Sequence, residues 1–106
     1  MTTKKFEIYQ VKRDLPKDLD IRFIDYEIAS RVVGDFNRNL SKFYNKIYEC
    51  YMDFENDNIY RILEDIYAVF NIDIPDDFTG HSLSKSDIVK IDDKLYYCDS
   101  VGWQVL

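Results

Sequence analysis

The residues best suited to chemistry lie near the C-terminal end of the chain. His81 is the only histidine, and loop serines, Asp87, Cys98 and Asp99 follow it. A thiol beside a base is the arrangement that activates a cysteine nucleophile, so Cys98 with His81 defines a hydrolase alternative, and Ser86 with His81 a weaker one. Serine and aspartate in loops more often bond the backbone and shape turns. Because the sequence also lacks a nucleophile-elbow motif, we predict no catalytic residue.

Metal and phosphate chemistry are not indicated either. Cys50 and Cys98 lie far apart and form no zinc spacing with the single histidine. The later aspartates lack the alternating pattern of a calcium loop, and the three glycines are scattered at 34, 80 and 102. We therefore expect no metal and no cofactor. Two cysteines are too few for a disulfide framework, so we expect reduced thiols in a cytoplasmic protein.

Charge is distributed unevenly along the chain, whose net charge is −6. Residues 1–50 carry a net charge of +2, and residues 51–106 carry −8. Within residues 51–77, eight acidic residues face one base, Arg61. Acidic charge disfavours contact with a nucleic-acid backbone, and no segment is apolar enough to suggest membrane association. The acidic segment is typical either of a solvated helix face or of a surface that docks on a cationic site of another protein.

The elements that position these residues alternate between strand and helix periodicities. Phe6 and Ile8 alternate with polar neighbours, which predicts a strand over 5–11. A helix is predicted over 26–33, with Asp25 as its N-cap and Gly34 as its stop. An apolar stripe predicts a second helix from Asp57 or Asn58 to about Phe70. A hairpin follows, with strands near 88–91 and 95–98 and a polar turn at Asp93 and Lys94.

Residues 36–54 support two interpretations. Five apolar residues recur every three or four positions, as in a helix: Phe36, Leu40, Phe43, Ile47 and Tyr51. The density of Tyr, Phe and Ile over 43–51 favours a strand instead, and we predict a strand there. The complete prediction is one α+β domain over 1–106. It consists of an antiparallel sheet of about four strands with two helices packed on one face.

Seven short motifs occur in a fixed order within about residues 58–104. They are Leu63–Tyr67, Phe70–Asn71, Pro75–Phe78, Gly80–Ser84, Ser86–Val89, Tyr96–Ser100 and Gly102–Trp103. Together they resemble the YodL-like domain, which occurs in mobile-element proteins of Firmicutes, alone or inside larger polyvalent proteins. Short free-standing mobile-element proteins of this kind include anti-CRISPR proteins that inhibit Cas9. The resemblance therefore implies a role of that kind for this chain.

Charge and resemblance together lead to a functional hypothesis. The chain is expected to be a non-enzymatic inhibitor of host defence that presents its acidic surface to Cas9 or a Cas9–guide RNA complex. It would compete with guide RNA or DNA and bind no nucleic acid itself. The predicted contact residues are Asp57, Tyr60, Glu64, Asp65, Asp76 and Asp77. Architectural roles are predicted for Gly80, His81, Ser84, Asp87, Asp99 and Gly102. The alternatives are an accessory or antirestriction module with another partner, and the hydrolase that uses His81 and Cys98.

Overall fold

A five-stranded antiparallel sheet, with strand order β2-β1-β3-β4-β5, forms the centre of the molecule. A computed structural model describes all 106 residues. Its elements are β1 (Thr2–Val11), a short 3-10 helix (Lys17–Leu19), α1 (Tyr26–Val33), α2 (Phe36–Phe43), β2 (Tyr44–Phe54), α3 (Ile59–Ile72), β3 (Ile88–Ile91), β4 (Lys94–Cys98) and β5 (Trp103–Val105). The predicted α+β class is confirmed. None of the helices is both long enough and apolar enough to cross a membrane.

Helices cover both faces of the sheet, so the prediction of two helices on one face is wrong. On one face, Phe6 and Ile8 of β1 pack against α3. On the other, Ile88 of β3 and Tyr97 of β4 pack against α1 and α2. Neighbouring strand residues point to opposite faces. Because Val89 is buried directly beside Ile88, both faces of β3 need a covering layer.

The ambiguous segment contains a helix and a strand joined without a loop. Phe36 and Phe43 are buried on α2, so the helical stripe is real as far as residue 43. Asp35 caps this helix, accepting a hydrogen bond from the Arg38 amide at 3.2 Å. From Tyr44 the chain becomes β2, which pairs with β1 along its length. The predicted strand over 43–51 is therefore confirmed from residue 44 onward, but residue 43 ends a third helix that was missed.

The fifth strand was missed as well, because three residues are too few to show a period. β5 pairs with the outer edge of β4, from Tyr96 opposite Val105 to Cys98 opposite Trp103. The preceding β3–β4 turn lies one residue earlier than predicted. Asp92 and Asp93 both have positive φ values, 51° and 64°, as a tight two-residue hairpin turn requires.

Candidate functional site

The acidic segment lies along α3 and its two flanks. We call it the acidic α3 surface, defined by Asp53, Glu55, Asp57, Glu64, Asp65, Asp73, Asp76 and Asp77. All eight residues are exposed, and none takes part in an ion pair. Arg61, the only base in the segment, is also exposed and unpaired. No ion pair within the chain therefore neutralises these carboxylates.

The predicted contact residues all belong to this region. They follow one another from the start of α3 to the loop beyond it, as Asp57, Tyr60, Glu64, Asp65, Asp76 and Asp77. Tyr60 is 49% exposed and shares a helix face with Glu64, one turn later. Asp77 is tied to the sheet, because it accepts a hydrogen bond from the Tyr48 hydroxyl at 2.8 Å. That bond raises the pKa of Tyr48 to about 12.

The two ends of α3 differ in how well the acidic charge suits the helix. Asn58 caps the N-terminal end and accepts from the Tyr60 amide at 3.0 Å. At the C-terminal end, Asp73 is the capping residue, and the last turn contains no base. A helix C-terminus favours cations, and an anion there costs about 0.3–1 kcal/mol. Helix stability therefore does not account for the acidic residues at this end.

Gln10 of β1 anchors the loop that joins α3 to β3. Its Oε1 accepts from the His81 amide at 3.3 Å. Its Nε2 donates to the His81 carbonyl at 2.9 Å and to Asp87 Oδ2 at 3.1 Å. Gln10 continues the inward alternation of Phe6 and Ile8 and is buried. A polar residue on the core face of a strand requires hydrogen-bond partners, and that was the only sequence signal for this anchor.

Asp87 ends this loop as a fully buried carboxyl group. Its Oδ2 also accepts from the Ser84 amide at 2.8 Å, whereas its Oδ1 has no hydrogen-bond partner. Burial raises the pKa of Asp87 to about 8, against the opposing effect of the bonds from Ser84 and Gln10. At neutral pH the carboxyl group therefore holds its proton for much of the time.

The His81 ring is oriented between a carbonyl group and this carboxyl group. Its Nδ1 lies 2.7 Å from the Ser82 carbonyl oxygen. Gln10 Nε2 lies 3.2 Å from the same ring nitrogen. The other ring nitrogen, Nε2, lies 3.8 Å from Asp87 Oδ1, which is beyond hydrogen-bond distance. The Ser82 carbonyl and the Gln10 side chain therefore position the ring in front of the buried carboxyl group.

Asp99 and Gly102 form the turn between β4 and β5 and hold the start of α1. Asp99 Oδ1 accepts from the Tyr26 amide at 3.1 Å. Asp25 occupies the N-cap position as predicted, but its side chain makes no capping bond. Gly102 has a φ of 72°, and its carbonyl accepts from the Asp99 amide at 3.0 Å. Asp99, which lies near the C-terminal end of the sequence, therefore provides the hydrogen-bond acceptor for the first amide of α1.

Gly80 lies where the loop passes closest to the sheet. A β-bulge leaves Ile47 of β2 without a partner in β1. A Cβ atom on Gly80 would lie 2.3 Å from Ile47 Cδ1 and 2.5 Å from Gln10 Oε1. We expect Gly80→Ala to lower the free energy of unfolding by about 1–3 kcal/mol, because Gln10 must release the His81 amide to make room.

Urea denaturation of this variant measures the effect, and Gly102→Ala is its control. A Cβ atom on Gly102 would have no heavy atom within 4 Å, so this replacement reports only the cost of a positive φ. That cost is about 1–2 kcal/mol. Gly80 does not have a positive φ, so a Gly80→Ala midpoint equal to that of the wild type, with an unchanged m-value, would show that the close contact does not contribute to stability.

No serine hydroxyl or cysteine thiol forms a hydrogen bond with the His81 ring. Burial raises the pKa of the Cys98 thiol to about 12, so the thiol stays protonated at neutral pH. Cys98 and His81 line two different cavities. Ser86 is buried, and its hydroxyl oxygen accepts from the Phe23 amide at 3.0 Å. The hydrolase alternative lacks the contact between nucleophile and base that it requires. No three His, Cys, Asp or Glu side chains are grouped as a metal site.

The central sheet between two helical layers, with its anchored loop, defines a small α+β domain. Comparison with protein families shows to which family this domain belongs. The family model described as YodL-like domain matches residues 5–106, and the chain belongs to that family. The match extends well beyond the motifs within 58–104. Comparison with curated proteins and with solved structures found no significant match.

Proposed function

We propose that the protein is a non-enzymatic inhibitor of host defence that docks its acidic α3 surface on a cationic nucleic-acid groove of another protein. The observation that carries the proposal is the set of eight exposed carboxylates without an ion pair, beside a single base. Unpaired surface charge of one sign accelerates and orients association with a surface of the opposite sign.

The partner that we propose is a Cas9-type nuclease, alone or with its guide RNA, in the cytoplasm. Such nucleases hold the guide–target duplex in a positively charged channel. An acidic protein that occupies the channel competes with RNA or DNA without binding either. The choice of Cas9 rests on the likeness to mobile-element proteins, and the choice of surface rests on the charges. An accessory or antirestriction partner with a basic groove would use the same surface.

Tyr60 gives this surface an aromatic anchor beside the charges. Aromatic residues near the centre of an interface contribute a large part of the binding free energy, whereas charges at the rim mainly affect the association rate. Tyr60 and Glu64 share a helix face, so one contact area combines both contributions. We expect docking to centre on the first two turns of α3.

Charge reversal on α3 tests the proposal. We expect the double variant Glu64→Lys with Asp65→Lys to need at least about tenfold more protein for half-inhibition of guided DNA cleavage, because two attractive charges become repulsive. A cleavage assay with purified nuclease, guide and target measures this. Neither residue makes a hydrogen bond or ion pair through its side chain, so the fold should be preserved, which thermal melting verifies.

The matched control is Asp14→Lys with Asp18→Lys, which changes the net charge equally. Both residues are exposed and form no ion pair, and they lie in the segment between β1 and α1, outside α3 and its flanks. We expect this variant to inhibit like the wild type. Equal loss of inhibition in both double variants would attribute the effect to net charge alone. Undiminished cleavage at excess wild-type protein would refute the Cas9 proposal.

A further inference from the structure

We propose that the cavity beside His81 binds a nucleoside monophosphate, with Arg13 and Arg22 on the phosphate and Phe23 against the base. The cavity has a volume of about 560 Å³. That is within the range of about 300–1,000 Å³ typical of small-molecule sites. Its walls come from the end of β1, the segment after it, the bulge of β2 and the loop residues Thr79, Gly80 and His81. Helix α3, which carries the acidic surface, contributes no wall residue.

Two arginines give the cavity its affinity for an anion. Arg13 is exposed and makes no side-chain hydrogen bond or ion pair within the chain. Arg22 is held in place by Asp20, through Nε to Oδ1 at 2.9 Å and Nη2 to Oδ2 at 2.7 Å. Its Nη1 remains free to donate. Guanidinium groups bind phosphate through several parallel hydrogen bonds, and a pre-positioned group loses less entropy on binding. Asp14 is the only carboxylate in the wall.

Phe23 supplies a surface for a planar ring. Its side chain is 54% exposed, and its φ is 63°, a conformation unusual for an aromatic residue. The bond from its amide to Ser86 Oγ, at 3.0 Å, holds the backbone in this state. Strained residues of this kind are concentrated at ligand clamps. Nucleobases stack on exposed aromatic rings with little sequence preference.

The His81 ring forms one wall of the cavity, in front of a buried carboxyl group. Its Nε2 lies 3.8 Å from Asp87 Oδ1, an oxygen that has no hydrogen-bond partner in the chain. The His81 and Phe23 rings, with centroids 5.5 Å apart, form one corner of the site.

Titration with AMP, followed by amide NMR shifts, tests this site. We expect saturable shifts at Thr79, Gly80 and His81, and weaker binding of adenosine, which has no phosphate. Arg13→Gln should weaken AMP binding by about tenfold, because one charged phosphate contact is lost. Phe23→Gly should weaken the binding of AMP more than the binding of ribose 5-phosphate, which has no base. Glycine suits the positive φ, so this variant is expected to fold.

Arg61→Gln is the matched control, because Arg61 is also exposed and unpaired but lies on α3. We expect it to bind AMP like the wild type. The proposal is overturned if AMP causes no saturable shifts at these amides, or if adenosine binds as tightly as AMP. It is overturned equally if Arg13→Gln and Arg61→Gln have the same affinity for AMP. The same holds if Phe23→Gly weakens the binding of AMP and of ribose 5-phosphate by the same factor. Inhibition of a nuclease does not enter this test, so the two proposals fail independently.

Discussion

Replacing Asp87 with asparagine is expected to flatten the pH dependence of stability between about pH 4 and about pH 8. Burial raises the pKa of Asp87 to about 8 in the folded chain. An aspartate in an unfolded chain has a pKa of about 3.9. Over the interval between these values the folded state binds more protons, so the free energy of unfolding decreases as the pH rises. The stabilising contribution is complete below about pH 4 and is lost as the pH rises through about 8.

The size of this effect is bounded by the difference between the two pKa values. At about 1.4 kcal/mol for each pKa unit, the ceiling is about 6 kcal/mol. Asparagine preserves the shape of the site. Its carbonyl oxygen can accept from the Ser84 and Gln10 donors.

Urea denaturation of both proteins at about pH 5 and about pH 8 measures the difference. Parallel pH profiles for wild type and Asp87→Asn would mean that the buried carboxyl group does not titrate in this interval. Asp87→Ala serves as the second variant. It leaves the Ser84 amide and the Gln10 side chain without their acceptor, so we expect a loss of about 1–3 kcal/mol at the acidic pH. No loss there would contradict the predicted architectural role of Asp87.

Phe70→Ala is expected to lower the free energy of unfolding by about 3–5 kcal/mol. Phe70 is fully buried on α3. Its ring meets Phe6 of β1, Tyr48 of β2 and Phe78 of the following loop edge-on, with centroids 5.9, 5.5 and 5.0 Å away. One side chain therefore joins four parts of the molecule. The loss is a large share of the roughly 5–15 kcal/mol that stabilises a typical domain.

The control for this prediction is Ile72→Ala, two residues further along the same helix. Ile72 is 85% exposed, so its truncation should change stability by no more than about 0.5 kcal/mol. Thermal melting of the two variants compares them directly. A Phe70 variant as stable as the Ile72 variant would show that the neighbouring rings collapse into the space without cost.

Prediction from sequence worked best where periodicity was uninterrupted. The apolar stripe of α3 and the alternation of β1 located both elements, because each buries one regular face. It failed at residues 36–54, where the three- and four-residue spacing continues from Phe43 to Ile47 although the helix ends at 43. No glycine or proline marks that junction, so the helical and extended interpretations were each correct for half of the segment.

The loop residues were found through the family motif, but their partners were not. Gln10 and His81 are 71 residues apart, and Phe23 and Ser86 are 63 apart. Contacts of that separation leave no local pattern in a single sequence. The cavity beside His81 was missed for the same reason, because its walls come from four separate segments. The acidic segment was easier to predict from the sequence, since an excess of acidic residues on a helix and its flanks is visible in the composition.

The position of β1 affects how the chain assembles during synthesis. Ile8 pairs with Tyr48 on one side and with Val89 on the other, so the first strand lies inside the sheet. Ribosomes add about 5–20 residues per second, so β1 and β2 wait seconds for β3. In that interval one edge of the β1–β2 ribbon has unpaired backbone groups, a template for association with another nascent chain. Completion of the β3–β4 hairpin closes this edge.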